Sequence, residues 1–198
     1  MLVEARPQVQ VGVLALQGAF AAHTAVFLSL GVDAREVRAA DQLDGLQALA
    51  IPGGESTTMS RLLVTSGLLG PLRGAIADGL AVFGTCAGMI VLARAVLDGR
   101  ADQCSLGAID ISVRRNGYGR QFDSFETDLS VSGLSGGSFH AVFIRAPLVT
   151  AVGPGVEVLA THEQVPVLAR QGRITVASFH PELSGDSRLH EQFLQEVG

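Results

Sequence analysis

Cys86 lies in the sequence GTCAG, residues 84–88, directly after the apolar run 80–83. Small residues on both sides of a nucleophile at a strand-to-helix corner are typical of a nucleophile elbow, here with cysteine as the nucleophile. A helix predicted over 87–95 would direct free N–H groups and its positive dipole end at the sulfur. That setting favours the thiolate and makes the N–H of Ala87 a candidate oxyanion donor. The alternative is a structural cysteine packed against glycines.

A second candidate group follows the predicted strand 174–179, in the sequence His180-Pro181-Glu182. Two residues apart in an extended chain, His180 and Glu182 would point to the same side, with Cα atoms roughly 6.5 Å apart. A carboxylate so placed can orient an imidazole whose other nitrogen faces a nucleophile, as in a catalytic triad. A lone histidine at a strand end is more often structural, but the elbow cysteine in the same chain favours the triad.

A glycine pair, Gly53-Gly54, follows the predicted buried strand 46–51 and Pro52. Glycine lets backbone N–H groups turn outward without steric cost, so this loop is predicted to supply a second oxyanion donor. Glu55 and Ser56, which come next, are candidates for holding a polar substrate. The alternative is a tight turn with Ser56 as the N-cap of the following helix, and both can hold because they use the same geometry.

Arginines are the candidates for clamping a substrate carboxylate through paired hydrogen bonds. They occur in RRNGYGRQ, residues 114–121, and as Arg145 in FIRAP, residues 143–147. The alternative is that they are solvated surface residues. Four further histidines show no spacing with carboxylates that demands a metal, so no metal site is expected. His23 and His190 lie on predicted helices and are expected to face solvent or pack locally, whereas His140 and His162 are candidate site neighbours without specific support.

The composition excludes several classes of protein. The 198 residues are 47% hydrophobic and 17% charged, which predicts one domain spanning 1–198 with a sizeable core. The fourteen basic residues are all arginine, so a lysine Schiff base and a P-loop lysine are both excluded, and no cofactor is expected. A net charge of −5 with scattered arginines argues against nucleic acid as a partner. Two cysteines without a CxxC motif argue against a disulfide scaffold.

Neither a membrane span nor a signal segment is expected. No apolar stretch reaches the roughly 20 residues that a membrane helix needs. Residues 1–10 carry charged residues and a proline in place of an apolar signal core, so a cytoplasmic location is predicted.

Strands and helices alternate in the first half of the predicted structure. Strands are predicted over 8–16, 34–37, 46–51 and 80–83, and helices over 19–30, 57–66 and 71–78. This alternation predicts a parallel α/β sheet with ligands at the carboxyl ends of its strands. After about residue 105, short strands follow with little helix between them, which predicts an antiparallel portion added to that sheet. They are expected over 109–113, 142–145, 156–160, 167–170 and 174–179, before a closing helix over 187–197.

These motifs resemble those of the class I (triad) glutamine amidotransferases, and within them those of the glutaminase subunits of two-part pyridoxal 5′-phosphate synthases. GTCAG with HPE is typical of the whole superfamily, whereas PGGESTTM, GRQ followed by DSFE, and FIRAP are typical of the subfamily. The matching segments span nearly the whole chain in order: 12–19, 52–59, 83–89, 119–126, 143–147 and 178–183. The resemblance implies a three-layer α/β/α sandwich with a central mixed, mostly parallel sheet.

The resemblance also implies roles for individual residues. Cys86 would be the nucleophile, His180 the acid and base, and Glu182 its orienting partner. The glutamine site would be formed by Gly54, Glu55, Ser56, Arg115, Ile144 and Arg145. The oxyanion would be held by the candidate donors already named, the N–H groups of Gly53, Gly54 and Ala87.

The implied reaction is hydrolysis of L-glutamine to L-glutamate and ammonia. The ammonia would pass to a (β/α)8-barrel subunit that synthesises pyridoxal 5′-phosphate, and docking of that subunit is expected to raise the glutaminase rate by reorganising loop 53–54 or 17–18. The nearest alternative is a glutaminase serving another synthase, such as imidazole glycerol phosphate synthase. Two others are a cysteine hydrolase or chaperone that uses a different acid, and a scaffolding subunit with an inactive site.

Overall fold

The computed structural model describes residues 9–115 and 124–197. Residues 116–123 lie outside this part of the chain, and with them Arg120 and most of the segment that carries GRQ. Five helices and twelve strands lie within the described ranges. The helices are α1 (Phe20–Ser29), α2 (Ser56–Thr65), α3 (Leu69–Ala77), α4 (Ala87–Leu92) and α5 (Arg188–Gln195).

The strands divide between one large sheet and two small ones. Seven form the large sheet: β1 (Gln10–Leu14), β2 (Asp33–Val37), β3 (Ala48–Ile51), β4 (Ala81–Thr85), β10 (Glu157–His162), β11 (Val165–Gln171) and β12 (Ile174–Ala177). The others are β5 (Ala93–Val96), β6 (Ile109–Arg114), β7 (Ser124–Leu129), β8 (Phe139–Ile144) and β9 (Leu148–Val152).

The large sheet is mixed and mostly parallel, as predicted. Its strand order is β10-β11-β12-β4-β3-β1-β2. The five strands from β12 to β2 pair in parallel, and β10 and β11 continue the sheet antiparallel at the β12 side. Parallel strands need crossovers, and the helices between β1 and β4 supply them.

Side chains that alternate along the parallel strands contribute to two separate hydrophobic clusters. In β3, Ala48 and Ala50 face one cluster, whereas Leu49 and Ile51 face the other. Helices α1 and α5 contribute Phe27 and Phe193 to the first cluster, and α2 and α3 contribute Leu63 and Leu72 to the second. Because successive side chains of a strand point to opposite faces, the sheet is covered by helices on both sides, which is the predicted three-layer sandwich.

The strands after residue 92 differ from the prediction in two respects. The helix predicted over 87–95 ends at Leu92, because Ala93 adopts extended backbone and residues 93–96 pair with β6. Strands β5, β6 and β9 form one small sheet and β7 pairs with β8 in another, so only β10 and β11 extend the large sheet antiparallel. In residues 9–115 and 124–197, none of the helices combines the length and the apolar composition needed to cross a membrane.

Candidate active site

Four polar corners meet at one edge of the large sheet. Cys86 follows β4, Gly53 follows β3, Gln17 follows β1, and His180 follows β12. These four strands are neighbours that run parallel, so their carboxyl ends open at the same edge. Ligands of open α/β sheets bind at this edge, and residues far apart in the chain are thereby brought together.

Cys86 occupies a strained corner between β4 and α4. Its φ of 51° and ψ of −104° lie outside the regions that non-glycine residues commonly adopt. Its N–H donates to the carbonyl of Ala177 over 2.8 Å, and its own carbonyl accepts from Ile90 over 3.3 Å. Such conformations persist only where surrounding contacts enforce them, and they concentrate at functional sites. The sulfur lies 3.8 Å from the carbonyl oxygen of Ile144.

Gly88 is required by the close approach of α4 to β3. A methyl group at this position would lie 2.0 Å from the carbonyl oxygen of Ile51, which is well inside contact distance. The prediction from the sequence was that the flanking glycines make the turn itself possible. In the structure Cys86 carries the unusual backbone conformation, and Gly88 allows the helix to pack against the neighbouring strand.

His180 and Glu182 form the predicted pair, but not in an extended chain. Residues 181–183 form a 3₁₀ turn, and His180 Nδ1 lies 2.7 Å from Glu182 Oε1. The Glu182 side chain is wholly buried, whereas that of His180 retains 10% exposure. The N–H of His180 donates to the carbonyl of Val142 over 2.8 Å, which fixes the backbone of the corner.

Gly53 brings the loop after β3 against the pair formed by Cys86 and His180. A methyl group on Gly53 would lie 2.3 Å from Cε1 of His180 and 3.3 Å from Cβ of Cys86. The Gly53 carbonyl accepts from the N–H of Ala19 over 3.1 Å, and Gln17 Oε1 accepts from the N–H of Glu55 over 2.9 Å. The loops after β1 and β3 are therefore joined by two hydrogen bonds directly beside the cysteine.

The electrostatics favour a charged imidazole between the sulfur of Cys86 and the carboxylate of Glu182. Burial alone would lower the pKa of His180, but its interactions with Cys86 and Glu182 outweigh burial and raise this pKa to about 10. Burial would likewise raise the pKa of Glu182, yet the hydrogen bond from His180 and the contact with His23 hold it well below its ordinary range. Glu182 is therefore ionised and His180 is protonated at neutral pH.

The N-cap of α2 is Glu55, so the alternative of a Ser56 cap is wrong. The Glu55 carboxylate accepts from the backbone N–H of Thr57 over 3.0 Å and of Thr58 over 2.6 Å. Burial would raise its pKa, but the hydrogen bonds from Thr58 and Thr57 prevail and lower the pKa to about 2. Glu55 Oε1 also lies 3.1 Å from Arg115 Nη2. The carboxylate thus holds Arg115 at the rim of the site.

A pocket of about 450 Å³ opens over Cys86 and His180. All six residues proposed for glutamine binding line it, namely Gly54, Glu55, Ser56, Arg115, Ile144 and Arg145. Gln17 and Ile90 complete the lining, and the sequence did not single out either as a substrate contact. Gln17 follows β1, and its place just after a buried strand was the sequence signal that could have indicated a substrate contact.

The remaining histidines divide differently from the prediction. His23 and His190 were expected to face solvent or pack locally; both are wholly buried, so the first of these expectations is wrong. Their rings contact each other, and His23 Nε2 lies 3.3 Å from Glu182 Oε2. His140 lies on β8 between Glu126 and Asp128, and His162 packs against aromatic rings; neither lines the pocket. Among the described residues, no group of three or more His, Cys, Asp and Glu is arranged to hold a metal ion.

The chain is similar in sequence to known glutamine amidotransferases. A family model described as the SNO glutamine amidotransferase family matches residues 13–198. "Pyridoxal 5'-phosphate synthase subunit PdxT" of Parafrankia sp. (strain EAN1pec) is 55% identical over 188 residues, which cover 95% of this chain and 93% of the relative. The protein of the same name from Corynebacterium jeikeium (strain K411) is 56% identical, over 94% of this chain and 96% of the relative.

The structural comparison agrees with the sequence comparison. A solved crystal structure of a glutamine amidotransferase superposes with a TM-score of 0.90 at 51% sequence identity. The superposition covers 95% of this chain and 98% of the solved one. The mixed sheet and its helical layers therefore form a glutamine amidotransferase fold.

Proposed function

The chain belongs to the SNO glutamine amidotransferase family, and we propose that it is the glutaminase subunit of a pyridoxal 5′-phosphate synthase. It hydrolyses L-glutamine to L-glutamate and ammonia, and the ammonia passes to a synthase partner. The observation that carries the mechanism is that Cys86 and His180 line a pocket of about 450 Å³ while the buried Glu182 pairs with His180 from behind. That volume lies within the range usual for small-molecule sites.

Cys86 is the proposed nucleophile. Its thiolate attacks the side-chain amide carbon of glutamine, forming an S–C bond and moving the carbonyl electron pair onto oxygen. His180, which is protonated at neutral pH because its pKa is about 10, gives its proton to the amide nitrogen. The C–N bond then breaks, ammonia leaves, and a γ-glutamyl thioester remains on Cys86.

The second half of the reaction restores the enzyme. Neutral His180 accepts a proton from water, whose oxygen attacks the thioester carbonyl. The S–C bond breaks with its electron pair on sulfur, which releases glutamate and regenerates the thiolate. Glu182 stays ionised throughout and orients the imidazole through the 2.7 Å hydrogen bond at Nδ1.

The tetrahedral oxygen of both steps needs hydrogen-bond donors. We assign this role to N–H groups of Gly53, Gly54 and Ala87. Ala87 is the first residue of α4, where backbone N–H groups lack an acceptor within the helix. Removing one oxyanion donor typically costs about 10²–10³ in rate.

The polar ends of glutamine fit the rim of the pocket. Arg115 and Arg145 are the cations that line it, and they are proposed to bind the substrate α-carboxylate. Glu55 acts indirectly, because its carboxylate caps α2 and fixes Arg115. Ser56 and the backbone of Gly54 and Ile144 complete the proposed glutamine site.

The partner is proposed to be a (β/α)8-barrel subunit that uses the ammonia. Lacking lysine, this chain cannot form imines with carbonyl substrates, so that chemistry belongs to the partner. The alternative of a glutaminase serving imidazole glycerol phosphate synthase is not favoured, because the relatives at 55% and 56% identity are both named as pyridoxal 5′-phosphate synthase subunits. A single domain over 1–198 and a cytoplasmic location stay predictions.

Glutamate release tests the proposal directly. The purified chain is assayed alone and with the (β/α)8 synthase subunit, and the Cys86→Ala variant is compared with Cys104→Ala. Both cysteines are free, which makes Cys104 a matched control for loss of a thiol. We expect Cys86→Ala to lose glutamate release at least 10³-fold, Cys104→Ala to retain it, and the synthase to raise it. Turnover by Cys86→Ala would move the chemistry to another residue.

A further inference from the structure

Two buried histidines lie directly behind the catalytic carboxylate. His23 of α1 places Nε2 at 3.3 Å from Glu182 Oε2 and at 3.0 Å from Thr85 Oγ1. Its other nitrogen, Nδ1, lies 3.1 Å from Nε2 of His190 in α5. The side chains of His23 and Glu182 have no exposure, so their contact is shielded from solvent. Neither histidine touches the pocket.

The hydrogen-bond inventory assigns a tautomer to each ring. If His23 carried its one proton on Nδ1, a lone pair at Nε2 would face the Glu182 carboxylate. His190 would then accept at Nε2 and carry its own proton on Nδ1, a buried atom without a partner among the described residues. With the proton on Nε2, His23 donates to Thr85 while Glu182 Oε2 lies 3.3 Å from the same nitrogen, and His23 Nδ1 accepts from the N–H of His190. His190 Nδ1 then keeps an unpaired lone pair in place of an unpaired N–H, which is the less costly arrangement.

Burial supports the neutral form of His190. Its loss of solvent and the nearby His23 lower the pKa of His190 to about 3. His190 therefore donates from Nε2 and fixes the His23 tautomer without bringing a charge into the core. The rings of Phe27 and Phe83 pack edge-on against His190 at 5.1 Å and 5.5 Å between centroids, which holds its orientation.

The contact with His23 determines which way the carboxylate points. Glu182 Oε1 lies 2.7 Å from His180 Nδ1, whereas Oε2 has no aligned hydrogen-bond partner among the described residues and lies 3.3 Å from His23 Nε2. Because a carboxylate can rotate, this buried polar contact at Oε2 favours the orientation that keeps Oε1 on His180. We propose that His23 is a positioning residue of the triad, which holds Glu182 through Oε2, and that His190 sets the tautomer that lets it do so. This proposal rests on the proposed glutaminase function.

Titratable groups face Glu182 from three elements. His180 lies in its own segment, His23 approaches from α1, and His190 of α5 stands behind His23. Cys86 lies beyond His180. The contact with His23 is one cause of the lowered pKa of Glu182, so its loss raises that pKa. The fall of activity at acid pH then begins closer to neutral pH.

The test compares two amides at position 23. In His23→Gln the amide nitrogen reaches the place of Nε2 and keeps a donor for Glu182, whereas in His23→Asn the shorter amide reaches only the place of Nδ1. We expect His23→Asn to lower kcat about 10- to 100-fold with KM within threefold, and to move the acid limb of kcat/KM to higher pH. His23→Gln retains kcat within about fivefold and keeps the wild-type limb.

Phe27→Leu is the control for packing, because it loosens the same helix and the same neighbour without removing a hydrogen bond. It should lower the unfolding temperature and leave the acid limb in place. All variants are assayed as full chains with the synthase partner, and folding is monitored by thermal unfolding. Equal kcat and an unmoved limb in folded His23→Asn and His23→Gln would overturn the positioning role. An inactive wild-type chain would instead overturn the proposed function.

Discussion

Substituting Gly53 by alanine would place a methyl group between the two reacting side chains. The φ of Gly53 is not in the left-handed region, so alanine fits its backbone. The new carbon would lie 2.3 Å from Cε1 of His180, whereas carbon atoms in contact are about 3.5–4.0 Å apart. The imidazole and the loop must therefore separate by roughly 1.2 Å or more.

A shift of this size moves the imidazole of His180, the proposed acid and base, away from the sulfur of Cys86. Misplacing a reacting group by about 1 Å costs on the order of 10² in rate, so we expect kcat for glutamate release to fall about 100-fold. Gly53 is also a proposed oxyanion donor, and a second measurement separates the two effects. Alkylation of Cys86 by iodoacetamide needs the thiolate but no oxyanion hole. A cation beside a thiol favours the reactive thiolate, so moving His180 away should slow alkylation at pH 6.5 at least tenfold.

Gly74→Ala is the matched control, because Gly74 lies in α3 with no atom within 4 Å of the added methyl. It should leave both rates unchanged and raise stability by about 0.5–1 kcal/mol through helix propensity. Gly53→Ala protein that is folded, alkylates at the wild-type rate and retains kcat within threefold would refute the placement of His180 against this loop.

Three further predictions concern pH, the substrate carboxylate and the elbow. Folding raises the pKa of His180 from 6.5 to about 10, so protonated His180 stabilises the fold below pH 6.5 and this contribution is lost as the pH rises toward 10. The unfolding temperature should therefore fall between pH 6.5 and 10, and it should fall less in His180→Gln. Arg115→Ala should raise KM for glutamine at least tenfold with kcat within threefold, as steady-state kinetics would reveal. Gly88→Ala should lower the free energy of unfolding by several kcal/mol in a denaturant titration, because its methyl would lie 2.0 Å from the Ile51 carbonyl oxygen.

The class of chemistry could be predicted from the sequence more fully than the local backbone geometry could. The corners that carry Cys86 and Gly53 were recognisable because small residues after a buried strand leave a pattern in consecutive positions. The end of α4 at Leu92 was not, since residues 93–96 become a strand only by pairing with β6, sixteen or more residues away. Likewise the cap of α2 is Glu55, whose carboxylate is preferred over the Ser56 hydroxyl because Arg115 and Thr58 also hold it.

The burial of the two histidines behind Glu182 could not be predicted from the sequence. His23 and His190 stand 167 positions apart, and each lies on a helix whose pattern gives no sign of a polar partner. Their burial depends on α1 and α5 covering the same face of the sheet. Only that packing brings His23 to Glu182 and His190 to His23.

The amino-acid sequence by itself predicted the α/β architecture and the corners that carry Cys86, Gly53 and the His180–Glu182 pair, because these depend on residue types at short fixed spacings. The residues proposed for glutamine binding were implied by the family resemblance. The tertiary structure alone decided which loops touch, which carboxylate caps a helix, and which histidines support the triad. Those outcomes depend on contacts between side chains distant in the chain, and burial of a polar group is favourable only where such a partner is met.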